Sequence, residues 1–216
     1  MKDKIKVLLL GDNQDSWHPL ETAKKEIAKI VTSNVELHVT EDYTTLSSLA
    51  RSEYDVFISY TDSWNRIWSS EQTEGLVDFV ASGGGFIAIH NGISLQSSNK
   101  LYPIIGARFI THPSAQTLDY YGVIKDHPLL TGVNNFSVVE EPYQVEFDPS
   151  ASKNVFLEFA YNGRRYPAAW EKNYGLGKVV YLQPGHSHVS FKPKAFRKLV
   201  LNSINWVYDS IDTPHG

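Results

Sequence analysis

Cysteine is absent from all 216 residues, which removes disulfide frameworks, thiolate zinc sites, iron–sulfur clusters and thiol nucleophiles together. Long apolar runs are absent too. The charged start is followed only by Val7 to Leu10, a strand's length and too short for a signal h-region, and no other run approaches the ~18 residues of a membrane span. Positive charge is not in excess: 20 Lys and Arg face 24 Asp and Glu, a formal net charge of -4. There is thus no electrostatic footprint for nucleic acid or an anionic membrane. Several fingerprints are missing as well. The glycines at 83 to 85 precede a strand, and no GKS/T, GxGxxG or GxSxG follows, so a phosphate loop, a dinucleotide fold and a standard α/β-hydrolase are unsupported. The expectation is a soluble, cytoplasmic protein that binds neither nucleic acid nor membrane.

The length fits one domain, 1–216, and a domain of this size buries roughly 70% of its unfolded surface without a disulfide or metal staple. Lys4 to Leu10 reads as a strand buried on both faces, ended by Gly11 to Asp15. Pro19 opens a helix whose Leu20, Ala23, Ile27 and Ile30 form one apolar stripe. Val35 to Val39 and Asp55 to Tyr60 are the next strands. Ser69 and Gln72 match a capping box for a helix carrying Leu76, Phe79 and Val80, which stops at Gly83. Phe86 to Ile89 is the fourth strand. This alternation is the signature of βαβ units around a parallel sheet. Residues 115–124, 136–147, 154–160 and 166–170 read as further strands, separated by turns such as Asp126-His127-Pro128 and Asn162-Gly163. Lys178 to Leu182 resumes the buried pattern, and Phe196, Leu199, Val200, Ile204 and Val207 mark a closing helix with Pro193 in its first turn. The expected fold is an open α/β sheet with a β-rich insertion before its last strand and helix.

Ligands of such sheets bind outside the carboxyl ends of the strands. The segments there are Gly11 to His18, Thr61 to Trp64, His90-Asn91-Gly92 and Gln183 to His188, and they hold four of the eight histidines. His90 ends a buried strand at a sharp turn, where nucleophile-elbow enzymes place a reactive side chain. An imidazole there is a base, a metal ligand or a hydrogen-bonded structural histidine, and the sequence favours none of these. His186 and His188 share a metal if the segment is extended, whereas in a loop their spacing demands nothing. Thr111-His112-Pro113 and Glu140-Glu141-Pro142-Tyr143 say little singly. Asp126-His127-Pro128 reads as a turn, His38 as a strand residue and His215 as part of a tail. The 5 Trp and 12 Tyr fill core in the commoner case and stack on sugars in the other.

Taken in order, Trp17-His18, Gly83 to His90, Ile105-Gly106-Ala107-Arg108-Phe109 with His112-Pro113, Asp126 to Leu129, Glu140 to Tyr143, Pro167 to Trp170, Tyr174 to Tyr181 and Gly185-His186 resemble the ThuA-like (trehalose utilisation) proteins over nearly the whole chain. The resemblance implies a flavodoxin-like, mostly parallel sheet with helices on both faces, similar to class I glutamine amidotransferases. The thiol of true amidotransferases has its place at the elbow, where this chain carries His90 and Asn91, so glutamine hydrolysis by thiol attack is excluded. The family's polar positions carry over to His18, His90, His112, Glu141 and His186. Two departures stand out: Glu140-Glu141 replaces an Asp-Glu pair, and Ile105-Gly106-Ala107 replaces a double glycine.

The resemblance also implies carbohydrate metabolism beside an NAD-dependent oxidoreductase that makes 3-keto sugars. The leading expectation is an enzyme on a sugar, glycoside or 3-keto-glycoside, with His90 and Glu141 exchanging protons. Trp17, His18, Trp64, Asn91, His112, Tyr143 and His186 would then bind substrate. A divalent metal, zinc or manganese, would take His90, His112, His186 and Glu141. The rivals are a non-catalytic sugar-binding or regulatory module, motivated by the missing nucleophile, and a metal-dependent hydrolase of another small molecule. Self-association is compatible with all three.

Overall fold

Apolar residues occupy consecutive positions of the first strand because both of its faces are covered. In β1 (Ile5–Gly11), Val7 and Leu9 point into one core, whereas Leu8 and Leu10 point into another on the opposite face. The computed structural model describes residues 4–14 and 16–209. Asp15 and His215 lie outside them.

The chain continues through α1 (Leu20–Ala28), β2 (Val35–Thr40), a 3₁₀ segment at Tyr43–Arg51, β3 (Val56–Tyr60), α2 (Ser70–Ala81) and β4 (Gly85–Ile89). A second 3₁₀ segment at His90–Ser97, α3 (Tyr102–Ile105), β5 (Ala107–Thr111), β6 (Gln116–Gly122), β7 (Phe136–Glu140) and β8 (Gln144–Phe147) follow. The chain then forms β9 (Asn154–Tyr161), β10 (Arg164–Tyr174), β11 (Gly177–Leu182) and α4 (Lys194–Tyr208). The main sheet has nine strands in the order β2-β1-β3-β4-β11-β10-β9-β6-β7. The first five are parallel in the order of a flavodoxin-like sheet. From β11 to β7 each strand is antiparallel to its neighbour. The fold is therefore α/β as expected, and most of the β-rich insertion extends the same sheet, while β5 and β8 pair separately.

Helices cover both faces. α1 and α4 pack with Val7, Ile58 and Ile87 on one side, and α2 with residues 43–51, 90–97 and α3 packs with Leu8, Phe57 and Phe86 on the other. The α2 capping box forms as the sequence indicates, with the Ser69 hydroxyl accepting from Gln72 N at 3.2 Å and the Gln72 side chain accepting from Ser69 N at 3.1 Å. Asn162 and Gly163 take φ of 47° and 72°, the left-handed pair of a type I′ turn joining β9 to β10. Among the described residues, no helix is long and apolar enough to cross a membrane.

Several local expectations change. Residues 136–147 do not form one strand but break after Glu140, because Pro142 has no N–H to give a ladder and Tyr143 turns inward to be buried. β10 runs on to Tyr174, well beyond 166–170. The 3₁₀ segments and β5 carry no clear period and escape a pattern reading.

Gly75, inside α2, lies against the 43–51 segment: an added Cβ would stand 2.0 Å from Leu46 O. Alanine in a helix interior ordinarily stabilises by about 1 kcal/mol relative to glycine. Here the sign reverses, and Gly75→Ala lowers stability by about 1–3 kcal/mol, read as a lower urea midpoint. An unchanged or higher midpoint would mean that α2 and the 43–51 segment separate freely.

Candidate functional site

The site begins where β1 and β3 end, at the point where strand order reverses. Asp62, just past β3, accepts from Ser16 Oγ at 2.5 Å and His18 N at 3.1 Å, and its Oδ1 lies 3.0 Å from His18 Nδ1. Burial pushes the Asp62 carboxyl up, but the hydrogen bond and charge of His18 outweigh it and hold the group at about 2. Burial likewise opposes a charged His18, yet its bonds to Asp62 and Glu141 raise the imidazole to about 9. The far nitrogen of His18, Nε2, stands 3.1 Å from His186 Nδ1 and 3.8 Å from Glu141 Oε2.

β4 delivers His90, which turns the chain with φ of 48°, a rare conformation for a residue with a Cβ. Its Nδ1 lies 2.7 Å from Gln183 O at the end of β11. A carbonyl only accepts, so Nδ1 carries the proton and Nε2 faces Glu141 Oε2 at 3.3 Å. Full burial lowers the His90 pKa, outweighing the nearby carboxylates of Glu140 and Glu141. Asn91 is buried beneath, donating to Tyr60 O at 3.0 Å.

The break after β7 supplies the carboxylates. Glu140 is fully buried and accepts from Gly185 N at 2.7 Å, His186 N at 3.3 Å and Glu141 N at 3.1 Å. Gly185 has φ of 149°, and a Cβ there would meet Ile89 Cγ2 at 2.7 Å, so the turn presenting His186 requires glycine. Gln183 donates to Glu141 O and accepts from Tyr120 at 2.6 Å. Glu141 Oε2 is 3.3 Å from His186 Nδ1, and Oε1 is 3.6 Å from His112 Nδ1. Burial works against the Glu141 anion, but His18, His186 and His90 together hold its carboxyl well below the usual carboxylate range.

Above this cluster lies a cavity of about 460 Å³. His18, His112, Glu141 and His186 supply its polar wall, and Trp17, Trp64, Phe109 and Tyr143 its aromatic one. The Tyr143 ring lies 4.1 Å from that of His90 and 5.3 Å from that of His112. Of the residues expected to bind substrate, Trp17, His18, Trp64, His112, Tyr143 and His186 line this space, whereas Asn91 does not. His90 lies below the floor, behind Glu141. His188 is exposed outside the cluster. His127 caps the Pro128–Leu130 turn and stacks on Phe156 at 4.7 Å, and His38 pairs with Glu36 on β2. Ligand atoms of His18, His90, Glu141 and His186 all fall within 4.8 Å of one another. His18 thus stands where His112 was expected in a metal set. Asp62, Phe109, Gln183 and Glu140 were not among the residues expected to form the site, although Asp62 and Gln183 sit at strand ends where the same rule applies.

The profile of the ThuA family, described as trehalose utilisation, matches residues 6–207. The chain belongs to the ThuA family. Among solved structures, a ThuA-like protein of Parabacteroides merdae ATCC 43184 superposes with a TM-score of 0.79 at 15% identity, covering 95% of this chain and 90% of that one. A ThuA-like protein of Bacteroides uniformis ATCC 8492 gives 0.74 at 18% identity over 96% and 93%. A protein of Salmonella typhimurium LT2 described as cytoplasmic gives 0.70 at 12% identity over 94% and 99%. At these identities the likeness is one of fold. No curated protein matches the sequence.

His18 and Asp62 make the stability of this ThuA protein depend on pH. His18 holds its proton more tightly when folded, so its contribution is full below its ordinary 6.5 and is lost as pH rises through about 9. That of Asp62 is full above its ordinary 3.8 and is lost as pH falls through about 2. The pair contributes most between roughly pH 4 and 6.5. In chelator-treated protein the melting temperature falls from pH 6.5 toward 9, and Asp62→Asn flattens that slope. An unchanged slope in the variant would place the titrating group elsewhere.

Proposed function

We propose that the protein is a cytoplasmic carbohydrate enzyme that moves protons at a carbon beside a carbonyl or glycosidic oxygen of a sugar, glycoside or 3-keto-glycoside. The observation that carries this reading is the pairing of an aromatic-walled cavity of about 460 Å³ with two imidazoles and a carboxylate at its floor. Aromatic faces hold sugar rings, and imidazoles move protons near neutral pH. The family description, trehalose utilisation, supports the substrate class.

In this reading His18 delivers the proton, with Asp62 behind it, and His186, 3.1 Å away and open to the cavity, takes it up or passes it on. Glu141 stays ionised and balances the imidazolium. His90, expected from sequence to exchange protons with Glu141, is fully buried and backs that carboxylate from below. Trp64 and Tyr143 hold the ring, and His112 orients a hydroxyl at the rim. An NAD-dependent oxidoreductase of the same pathway supplies the keto form.

Proton NMR of a panel of glycosides and their 3-keto forms tests this. Turnover of at least one sugar is expected, with His18→Ala and Glu141→Gln each lowering kcat by about 100-fold or more and Trp64→Ala acting mainly on KM. Unchanged turnover in both site variants would overturn the assignment. Saturable sugar binding with no product would instead mark a binding module.

A further inference from the structure

Four ligand atoms converge on one point, three of them from the cavity floor and that of His90 from beneath it. His90 donates through Nδ1 to the Gln183 carbonyl, so a neutral His90 presents a lone pair at Nε2, 3.3 Å from an oxygen of the Glu141 carboxylate. Two acceptors thus face each other in a buried place, and His18 Nε2 and His186 Nδ1 aim at the same oxygen from 3.8 and 3.3 Å. The imidazolium of His18 balances this crowding only from 3.8 Å, whereas a cation placed among the four atoms would do so at bonding distance.

We propose that His18 Nε2, His90 Nε2, His186 Nδ1 and Glu141 Oε2 form a binding site for one first-row divalent cation, with zinc the best match. Metal–ligand bonds of about 2.0–2.1 Å in a tetrahedron put neighbouring ligand atoms about 3.3 Å apart, and three of the separations match that edge, while the wider ones, 3.8 Å from His18 to Glu141 and up to 4.8 Å across the set, must close on the ion. The matching separations are 3.1 Å for His18 to His186 and 3.3 Å from Glu141 to both His90 and His186. Three imidazoles and one carboxylate suit zinc and its neighbours, whereas calcium and magnesium take oxygen ligands.

The surroundings support the same reading. Ligand histidines ordinarily give their second nitrogen to a carboxylate or backbone carbonyl, which fixes ring orientation. His18 does so to Asp62 at 3.0 Å and His90 to Gln183 O at 2.7 Å, while Glu140 fixes the backbone that carries His186. Three of the four ligands line the cavity, which provides an entry path. A bound cation would polarise a substrate oxygen or acidify a water. The inference stands on donor geometry alone and does not depend on the sugar assignment, but it replaces the proton-carrying roles given to His18 and His186 above, because a nitrogen bound to a cation holds no proton.

The test is calorimetric titration of chelator-treated protein with zinc chloride, without sugar, alongside manganese and the visible spectrum of the cobalt(II) form. One equivalent of zinc is expected to bind with submicromolar affinity, more tightly than manganese, and cobalt should show the intense bands of a four- or five-coordinate ion. His186→Ala and Glu141→Gln weaken zinc binding by about 100-fold or more, Asp62→Asn by about 10–100-fold, and His112→Ala leaves it unchanged. No saturable zinc binding, or wild-type affinity in folded His186→Ala and Glu141→Gln, would overturn the proposal. Should those variants fail to fold, wild-type stoichiometry and the cobalt spectrum decide it. Sugar turnover plays no part in these readouts, so a negative turnover screen leaves a positive metal result standing.

Discussion

The arrangement depends on one buried carboxylate. Glu140 is fully buried at the end of the edge strand β7, and three backbone N–H groups converge on its carboxyl group, meeting the need of a buried polar group for partners. Two come from Gly185 and His186, at the end of a strand four places away in the sheet. Meeting that requirement forces the antiparallel half to curl back over the ends of the parallel strands, with Tyr120 on Gln183 as a second tie at 2.6 Å. The curl carries Glu141 into the ring of imidazoles.

Within that ring, two histidines whose rings are 4.8 Å apart take opposite states. His18 has a carboxylate behind it and is pushed up to about 9. His90 has a carbonyl behind it, is wholly enclosed and is pushed down. The difference lies in the partner of Nδ1 and in exposure, not in the residue type. Burial separates them further, since His18 borders the cavity while His90 supports Glu141 from the protein side.

Much of this was legible in the sequence where one local signal sufficed. The unbroken run at Val7 to Leu10 announced a strand covered on both faces, Ser69 with Gln72 announced a helix start, and Asn162-Gly163 announced a turn between strands. The strand-end rule grouped His18, His90, His186 and His188, of which the first three meet and His188 stays exposed outside the cluster. What stayed hidden depended on contacts between distant segments. Glu140 looked like an ordinary surface acid because its partners lie 45 residues onward. Asp62 showed no motif, since its role is defined by His18, 44 residues away. The sequence put His112 in the metal set and left His18 out of it, whereas the fold sets His112 on the rim and His18 in the cluster.

The four-atom cluster is divided between the two halves of the sheet: the loops after β1, β4 and β11 bring the imidazoles, and the turn after β7 brings the carboxylate. Neither half alone holds the set. Whatever binds there is bound only by a chain in which the parallel strands have assembled and the antiparallel arm has closed on them, so occupancy stabilises that union by mass action. The ligand would act as a clasp, making two stretches of chain melt as one.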